Sequence, residues 1–205
     1  MIRITYEICY NEKDETRNTM ILAMVRHGQT AYNADGLVQG RVNIPLNDLG
    51  KTQAKQLGEA LRAQNESFDL IAASPLSRAL ETAFIISKQL KMTRPIYVDH
   101  QFVERDFYHL DGTPVETAMP LVRIENYKFE GYEHDQMMIQ RVSKAVKHLR
   151  RIHGDKKILL VAHSHVIKAL LRYIDPIAYS FADLIRHVDI IYFEVTDQKI
   201  TVLKK

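Results

Sequence analysis

The stretch "LAMVRHGQTAYN", residues 22–33, is the part of this sequence that decides its fold class. An apolar run over residues 20–25 stops abruptly at Arg26, His27 and Gly28. A continuous apolar run of this length is typical of a strand that is buried on both faces, as in parallel sheets. Arginine and histidine directly after such a strand indicate either a solvated loop or chemistry at the strand's carboxyl end.

The remainder of the chain alternates apolar runs with amphipathic segments, without an internal repeat or a long linker. Strands are predicted over residues 20–25, 68–73, 94–98 and 157–162, helices over residues 47–64, 75–90, 134–153 and 164–174, and a terminal hairpin over residues 189–205. This alternation is typical of an α/β domain whose mostly parallel sheet is covered on both faces. We therefore expect one domain over residues 1–205, with an extra N-terminal strand over residues 2–10.

The composition argues against several classes of protein. Lys and Arg total 28 and Asp and Glu total 25, and the net charge of +3 is too small to indicate nucleic-acid or membrane-surface binding. The single cysteine, Cys9, cannot form an internal disulfide and fits a reducing compartment. No apolar run approaches the roughly 18 residues of a membrane span, and the N-terminus lacks the apolar core of a signal peptide. These features predict a cytoplasmic protein without nucleic-acid or membrane partners.

Charged and titratable side chains that could take part in chemistry follow the predicted strands. They are Arg26, His27, Arg78, Glu104 and His163. Because the carboxyl ends of parallel strands share one edge of the sheet, where ligands bind, we expect these residues to meet in one pocket. A helix opened by Ser74 as N-cap and Pro75 as first residue, and another behind His163, would add backbone donors and positive dipole ends.

These residue types suit a dianionic phosphoryl group. Arginine guanidinium groups bind phosphate oxygens bidentately and keep their charge at any working pH. A neutral imidazole can attack phosphorus, and a carboxylic acid can protonate the leaving oxygen. The arginines and the second histidine would then neutralise the negative charge of the phosphoryl group, which a metal ion neutralises in other enzymes. We expect neither a metal nor another cofactor, because the remaining histidines show no paired ligand spacing.

The chain resembles the histidine phosphatase superfamily, in its phosphoglycerate mutase-like branch, from about residue 20 to about residue 175. The blocks that carry the resemblance are, in order, "VRHGQTAYN", "QGRVNIPLNDLGKTQA", "SPLSRALETA", "FVERDFYHLDG", "GYEHDQMMIQRV" and "LLVAHSHVIKALL". The resemblance implies a three-layer α/β/α sandwich and phosphoryl transfer at the strand ends.

The resemblance also implies a role for each matching residue. His27 would be the phosphorylated nucleophile, and Glu104 would be the acid/base. Arg26, Arg78 and His163 would complete the phosphate pocket. The substrate side would be lined by Asn33, Gln39, Gly40 and Ser164.

Three features depart from the family pattern. Ser164 replaces the glycine that usually follows the second histidine, and its backbone N–H can still serve. Asp111 and Gly112 stand where phosphatases of the family often have Glu-Gly, which concerns the geometry of the entrance rather than the mechanism. Residues 1–19 precede the family's usual start, so either Met20 is the initiator or this segment is an extra strand and linker.

Some assignments stay open at the level of sequence. Glu81 and Asp106 are rival carboxylates to Glu104 as the acid. His165 fits a structural or exposed position better than a catalytic one. The segment "KHLRRIH", residues 147–153, fits a solvated helix face rather than a nucleic-acid patch.

The segment of about residues 107–133, here called the cap, is what remains to cover the pocket. Mutases of the family carry a longer insertion, so the resemblance favours a phosphatase that hydrolyses phosphomonoesters over a mutase. A low-activity phosphate-binding regulatory protein is a third hypothesis. The partner would be a small phosphorylated metabolite, phosphate or sulfate could occupy the pocket, and both a monomer and a homodimer stay open. The cap side chains that could contact a second acidic group, or simply be solvated or packed, are Arg123, Tyr127, Lys128 and Tyr132.

Overall fold

A six-stranded sheet forms the centre of the computed structural model, which describes residues 19–124 and 127–204. Its strands are β1 (Met20–Arg26), β2 (Leu70–Ala73), β3 (Tyr97–Val98), β4 (Lys157–Ala162), β5 (Ile190–Val195) and β6 (Ile200–Lys204). The order across the sheet is β3-β2-β4-β1-β5-β6, in which the first four strands are parallel and the last two are antiparallel. The predicted strands and the terminal hairpin are confirmed, whereas the strand predicted for residues 2–10 lies outside the described residues.

Helices cover both faces of the sheet. They are α1 (Ala31–Ala34), α2 (Asp48–Ala63), α3 (Ser77–Gln89), α4 (Val115–Val122), α5 (Asp135–His153) and α6 (Ser164–Ile174). The helices α5 and α6 pack on one face, and α2 and α3 pack on the other. The predicted α/β fold with helical layers on both sides is confirmed. None of the described helices combines the length and the apolar character that crossing a bilayer requires.

The two central strands show why their sequences are continuously apolar. Met24 of β1 lies beside Leu160 of β4 in parallel register, and both face the layer of α5 and α6. Their neighbours Val25 and Val161 point to the opposite layer of α2 and α3. Every one of these side chains is buried, and each contributes about 1.5–3 kcal/mol through loss of apolar surface. This burial fixes the two strand ends side by side.

The cap has a small apolar cluster of its own. A short 3₁₀ turn, Tyr108–Leu110, precedes α4 in this segment. The cluster consists of Val38, Phe107, Leu110, Ala118, Val122 and Tyr132. No helical period was evident here in the sequence, because α4 has only eight residues and contains Pro120. A helix this short depends on tertiary packing for its stability.

Candidate active site

The polar residues after the parallel strands converge at one edge of the sheet. His27 follows β1, and its N–H donates to the carbonyl of Ala162 at the end of β4 at 3.0 Å. Ser74 follows β2, and its N–H donates to the Val161 carbonyl at 3.0 Å. The His27 and His163 rings lie with centroids 5.2 Å apart. The structure thus brings together residues that are more than a hundred positions apart in the chain.

His27 is held in one orientation with one ring nitrogen free. Its Nδ1 lies 2.7 Å from the Gly28 carbonyl, so Nδ1 carries the proton and donates it. The Nε2 lone pair is then the nucleophilic position of the ring. Burial lowers the pKa of His27 well below its ordinary value, and the charges of Arg78 and Arg26 lower it further. The ring is therefore neutral near pH 7.

Ser74 orients the second histidine rather than capping a helix. Helix α3 begins at Ser77 with Leu76 in the N-cap position, so the predicted N-cap role of Ser74 is wrong. The Ser74 hydroxyl instead lies 2.7 Å from Nε2 of His163 and accepts from the Leu76 N–H at 3.4 Å. A hydroxyl that accepts from a backbone N–H has its proton free for the imidazole. This arrangement leaves the proton of the neutral His163 ring on Nδ1.

The two arginines bind the surrounding backbone through their terminal nitrogens. Nη1 of Arg26 donates to the Ile185 carbonyl at 2.6 Å. Nη1 and Nη2 of Arg78 donate to the carbonyls of Val42 and Gly40 at 2.8 and 2.7 Å. Burial lowers the pKa of Arg78 to about 10, while Glu104 opposes the change, so Arg78 stays charged near pH 7.

Several polar nitrogens of the predicted site are buried but have no hydrogen-bond partner within the described part of the chain. They are Nε of Arg26, Nε of Arg78, Nδ1 of His163 and Nε2 of Gln39. Buried donors without a partner are rare in folded proteins and call for an explanation such as a missing ligand. Each of these nitrogens can donate, so the arrangement suits an anion.

Glu104 is buried beside the second histidine segment. Its Oε1 accepts from the Arg105 N–H at 2.8 Å, and its Oε2 accepts from the His165 N–H at 3.4 Å. Burial raises the pKa of Glu104, although these donors and Arg78 act in the opposite direction. The two rivals lie elsewhere: Glu81 accepts from the Leu46 N–H, and Asp106 pairs with Arg41.

The residues expected on the substrate side are mostly engaged in building the loop after α1. The Asn33 and Thr30 side chains form the capping box of α1, and Gln39 Oε1 lies 2.6 Å from the Thr30 hydroxyl. The Gly40 N–H donates to Asp111 at 2.7 Å, so this amide is already occupied. A Cβ at Gly40 would lie 2.5 Å from the Asp111 carboxylate, which requires glycine there. Ser164 is the first residue of α6, where its N–H has no partner inside the helix.

Two residues near this edge were missed by sequence reasoning. His187 lies with its ring 5.9 Å from that of His27, and its Nδ1 is 3.1 Å from the His27 carbonyl oxygen. Lys168 is buried, donates to the Phe181 carbonyl at 3.0 Å, and has its pKa lowered by burial to about 8. The position of His187 just before β5 could have indicated that it lies near His27. An antiparallel strand beside β1 begins at the end of the sheet where β1 stops.

Two of the four cap side chains that could contact a second acidic group are packed, and the other two are exposed. Tyr132 is buried and its hydroxyl accepts from Arg105 at 2.5 Å, while Tyr127 packs against the Tyr132 ring. Arg123 and Lys128 are exposed. His165 is buried between the Phe107 and Phe181 rings, which agrees with a structural position.

Metal binding has no support in the described ranges. Among residues 19–124 and 127–204, no three His, Cys, Asp or Glu side chains are grouped so that they could hold a metal ion. The donor set around His27 is cationic or neutral, which suits an anion better than a metal. The absence of a metal from the reaction stays a prediction.

The carboxyl ends of the parallel strands gather two arginines, two histidines and a buried carboxyl group, an arrangement that suits an oxyanion. The model of the histidine phosphatase superfamily (branch 1) matches residues 22–204, and the chain belongs to this superfamily. The uncharacterized phosphatase PhoE of Bacillus subtilis (strain 168) is 35% identical over 150 residues, or 73% of this chain and 75% of that protein.

Solved structures show the same fold at lower identity. Phosphoglycerate mutase from Bacillus anthracis str. Sterne superposes with a TM-score of 0.81 at 19% identity, covering 92% of this chain and 93% of that one. Phosphoserine phosphatase from Entamoeba histolytica, solved in complex with 3-phosphoglyceric acid, has a TM-score of 0.77 at 22% identity and covers 90% and 95%.

Proposed function

We propose that this chain is a metal-independent phosphatase that hydrolyses small phosphomonoesters through a phosphohistidine on His27. The observation that carries this proposal is the set of unpaired buried donors on Arg26, Arg78 and His163 around a neutral His27 ring. Donors fixed in place before the substrate arrives stabilise charge on the phosphoryl oxygens without reorganisation. The phosphatase relative and the phosphate-bearing ligand of the Entamoeba enzyme support the same class of substrate.

The first step transfers the phosphoryl group to the enzyme. The Nε2 lone pair of His27 attacks phosphorus, and the bond from phosphorus to the ester oxygen breaks. Glu104, whose raised pKa favours the acid form, gives its proton to that oxygen, and the alcohol leaves. The guanidinium groups of Arg26 and Arg78 hold the equatorial oxygens.

The second step returns the enzyme to its starting state. Glu104 is now a carboxylate and takes a proton from water as the water oxygen attacks phosphorus. The N–P bond breaks, its electrons return to Nε2 of His27, and inorganic phosphate leaves. Two easier steps thus replace one difficult displacement.

Phosphate release from a panel of phosphomonoesters, with and without a metal chelator, tests this function. We expect chelator-insensitive release by the wild type and a loss of at least about 10³-fold in His27→Ala. The matched control is His148→Ala, since His148 is an exposed histidine on α5. Mass spectrometry after alkaline quenching should detect one added phosphoryl group in the wild type and none in His27→Ala.

Other outcomes would change the assignment. An isomerised phosphoester in place of free phosphate, dependent on a bisphosphate primer, would indicate a mutase. Binding of vanadate by a folded protein without turnover of any ester would contradict the phosphatase proposal and leave a phosphate-binding protein.

A further inference from the structure

The His187 ring is hydrogen-bonded to the main chain of His27, the proposed nucleophile. Its Nδ1–H donates to the His27 carbonyl oxygen at 3.1 Å, and its ring centroid lies 5.9 Å from that of His27. A ring whose Nδ1 proton is fixed in this way has Nε2 as its second site for a proton. The reaction proposed above uses no group at this position.

The backbone around His187 is strained and clamped to the end of β1. The next residue, Val188, has φ +56°, a conformation that is unfavourable for a β-branched side chain. Its N–H donates to the Arg26 carbonyl at 3.0 Å, and the Arg26 N–H donates to the Asp189 carbonyl at 3.2 Å. Strain of this kind persists only where the surroundings impose it, and it is concentrated at functional sites.

Burial and a nearby positive charge keep the His187 ring neutral when the pocket is empty. Burial lowers the pKa of His187 to about 4 and Arg26, on β1, acts in the same direction, while the hydrogen bond to the His27 carbonyl opposes them. On its own segment, Arg186 is exposed, and Asp189 is close enough to Arg26 to affect its pKa. The His187 ring also lies 5.9 Å from the ring of His27, which is neutral.

We propose that His187 is a further residue of the phosphoryl pocket, which takes up a proton from solvent when a dianion occupies the pocket and releases it when the anion leaves. The inference rests on the proposed function, because it requires the phosphoryl group to lie on His27. A dianion at Nε2 of His27 would lie against a ring whose centroid is 5.9 Å from that of His187, and an opposite charge within about 4–6 Å favours the protonated form of an imidazole. The proton goes to Nε2, since Nδ1 already carries one. The extra positive charge then offsets part of the charge of the bound phosphoryl group.

Histidine NMR titration of the full-length protein, with and without saturating inorganic sulfate, tests this proposal. Sulfate stays a dianion throughout the titration, so any shift belongs to the protein. The His187 resonance is the one that is missing in His187→Asn. We expect sulfate to raise the pKa of His187 by about one to three units. His148→Asn assigns the control resonance, which belongs to an exposed histidine on α5 and should not respond to sulfate.

Two substitutions of His187 distinguish its hydrogen bond to His27 from its ability to take up a proton. Asparagine at position 187 can still donate to the His27 carbonyl but cannot titrate, whereas alanine can do neither. We therefore expect His187→Asn to weaken sulfate affinity at acidic pH, where the wild-type ring can take up a proton. His187→Ala should in addition lower kcat.

The results separate this inference from the proposed function. Saturation of the wild type by sulfate, with the pKa of His187 still at about 4, would overturn the inference and leave the phosphatase proposal standing. A wild type that binds neither sulfate nor vanadate would overturn both.

Discussion

In the proposed mechanism, burial of the Glu104 carboxyl group sets the pH range of the first chemical step. Because its folded-state pKa is raised by burial, the acid form persists to higher pH than for an exposed glutamate. His27 and His163 have lowered pKa values, so both rings stay neutral as pH falls through the weakly acidic range. We expect the rate of phosphoryl transfer to His27 to fall as pH rises through the pKa of Glu104.

Glu104→Gln should remove this dependence and slow hydrolysis of alkyl phosphates by about 10²–10⁴-fold. The loss should be much smaller for p-nitrophenyl phosphate, whose leaving oxygen needs no proton. Single-turnover rates with both substrates measure the difference. The matched control is Glu81→Gln, the rival carboxylate, which should leave both rates unchanged. Equal losses for the two substrates in Glu104→Gln would contradict the acid role.

At the scale of elements, the loop at residues 40–42 is held between two distant parts of the chain. Asp111 accepts from the N–H groups of Gly40, Arg41 and Val42, and Arg78 donates to carbonyls of the same loop. Asp111 is one of the departures from the family pattern that were expected to concern the geometry of the entrance. In the structure it is the residue that anchors this loop. The two carboxylate oxygens of Asp111, a residue of the cap, thus clamp three backbone amides of the loop.

Asp111→Asn should loosen this loop, because one amide oxygen replaces two carboxylate oxygens and an NH₂ group faces backbone donors. We expect a loss of roughly 1–3 kcal/mol in the free energy of unfolding, measured by urea denaturation. The fold-increase in KM should exceed the fold-decrease in kcat. Arg78 keeps its charge, but the loop whose carbonyls it binds is no longer held in place. Asp106→Asn, at a partly exposed ion pair with Arg41, should change stability by less than about 1 kcal/mol. A KM like that of the wild type would argue against the clamp.

For the whole molecule, the buried histidines make stability depend on pH. His27, His163 and His165 have folded-state pKa values well below their ordinary value, whereas the unfolded chain titrates near about 6.5. Between these values the unfolded state binds more protons, so stability falls as pH decreases. The raised pKa values of the Glu104 and Asp111 carboxyl groups act in the opposite direction.

We expect the free energy of unfolding to decrease below about pH 6.5, with each buried histidine adding a slope of about 1.4 kcal/mol per pH unit. Urea unfolding at several pH values between about 5 and 7.5 measures this slope. His165→Gln should reduce it by about one histidine's share, and His148→Asn at an exposed position should not. A stability that is constant over this range would contradict the burial of neutral imidazoles.

Much of this fold follows from local sequence. The runs at residues 20–25 and 157–162 are short, unbroken and apolar, as a strand buried on both faces requires, and α5 and α6 follow from their amphipathic period. The parallel arrangement then places His27 and His163 at one edge. The proximity of His27 and His163 could be predicted because the carboxyl ends of parallel strands share one edge of the sheet.

Tertiary structure alone decided how the site is completed. Ser74 looked like a helix cap, yet it orients His163, which is 89 positions away. His187 looked unremarkable, yet it bonds to His27 across 160 positions because β5 runs antiparallel beside β1. Local patterns report on burial and backbone conformation, which neighbours in the chain determine. Which polar groups meet, and which donors stay unpaired, depends on contacts that form only after the sheet is assembled.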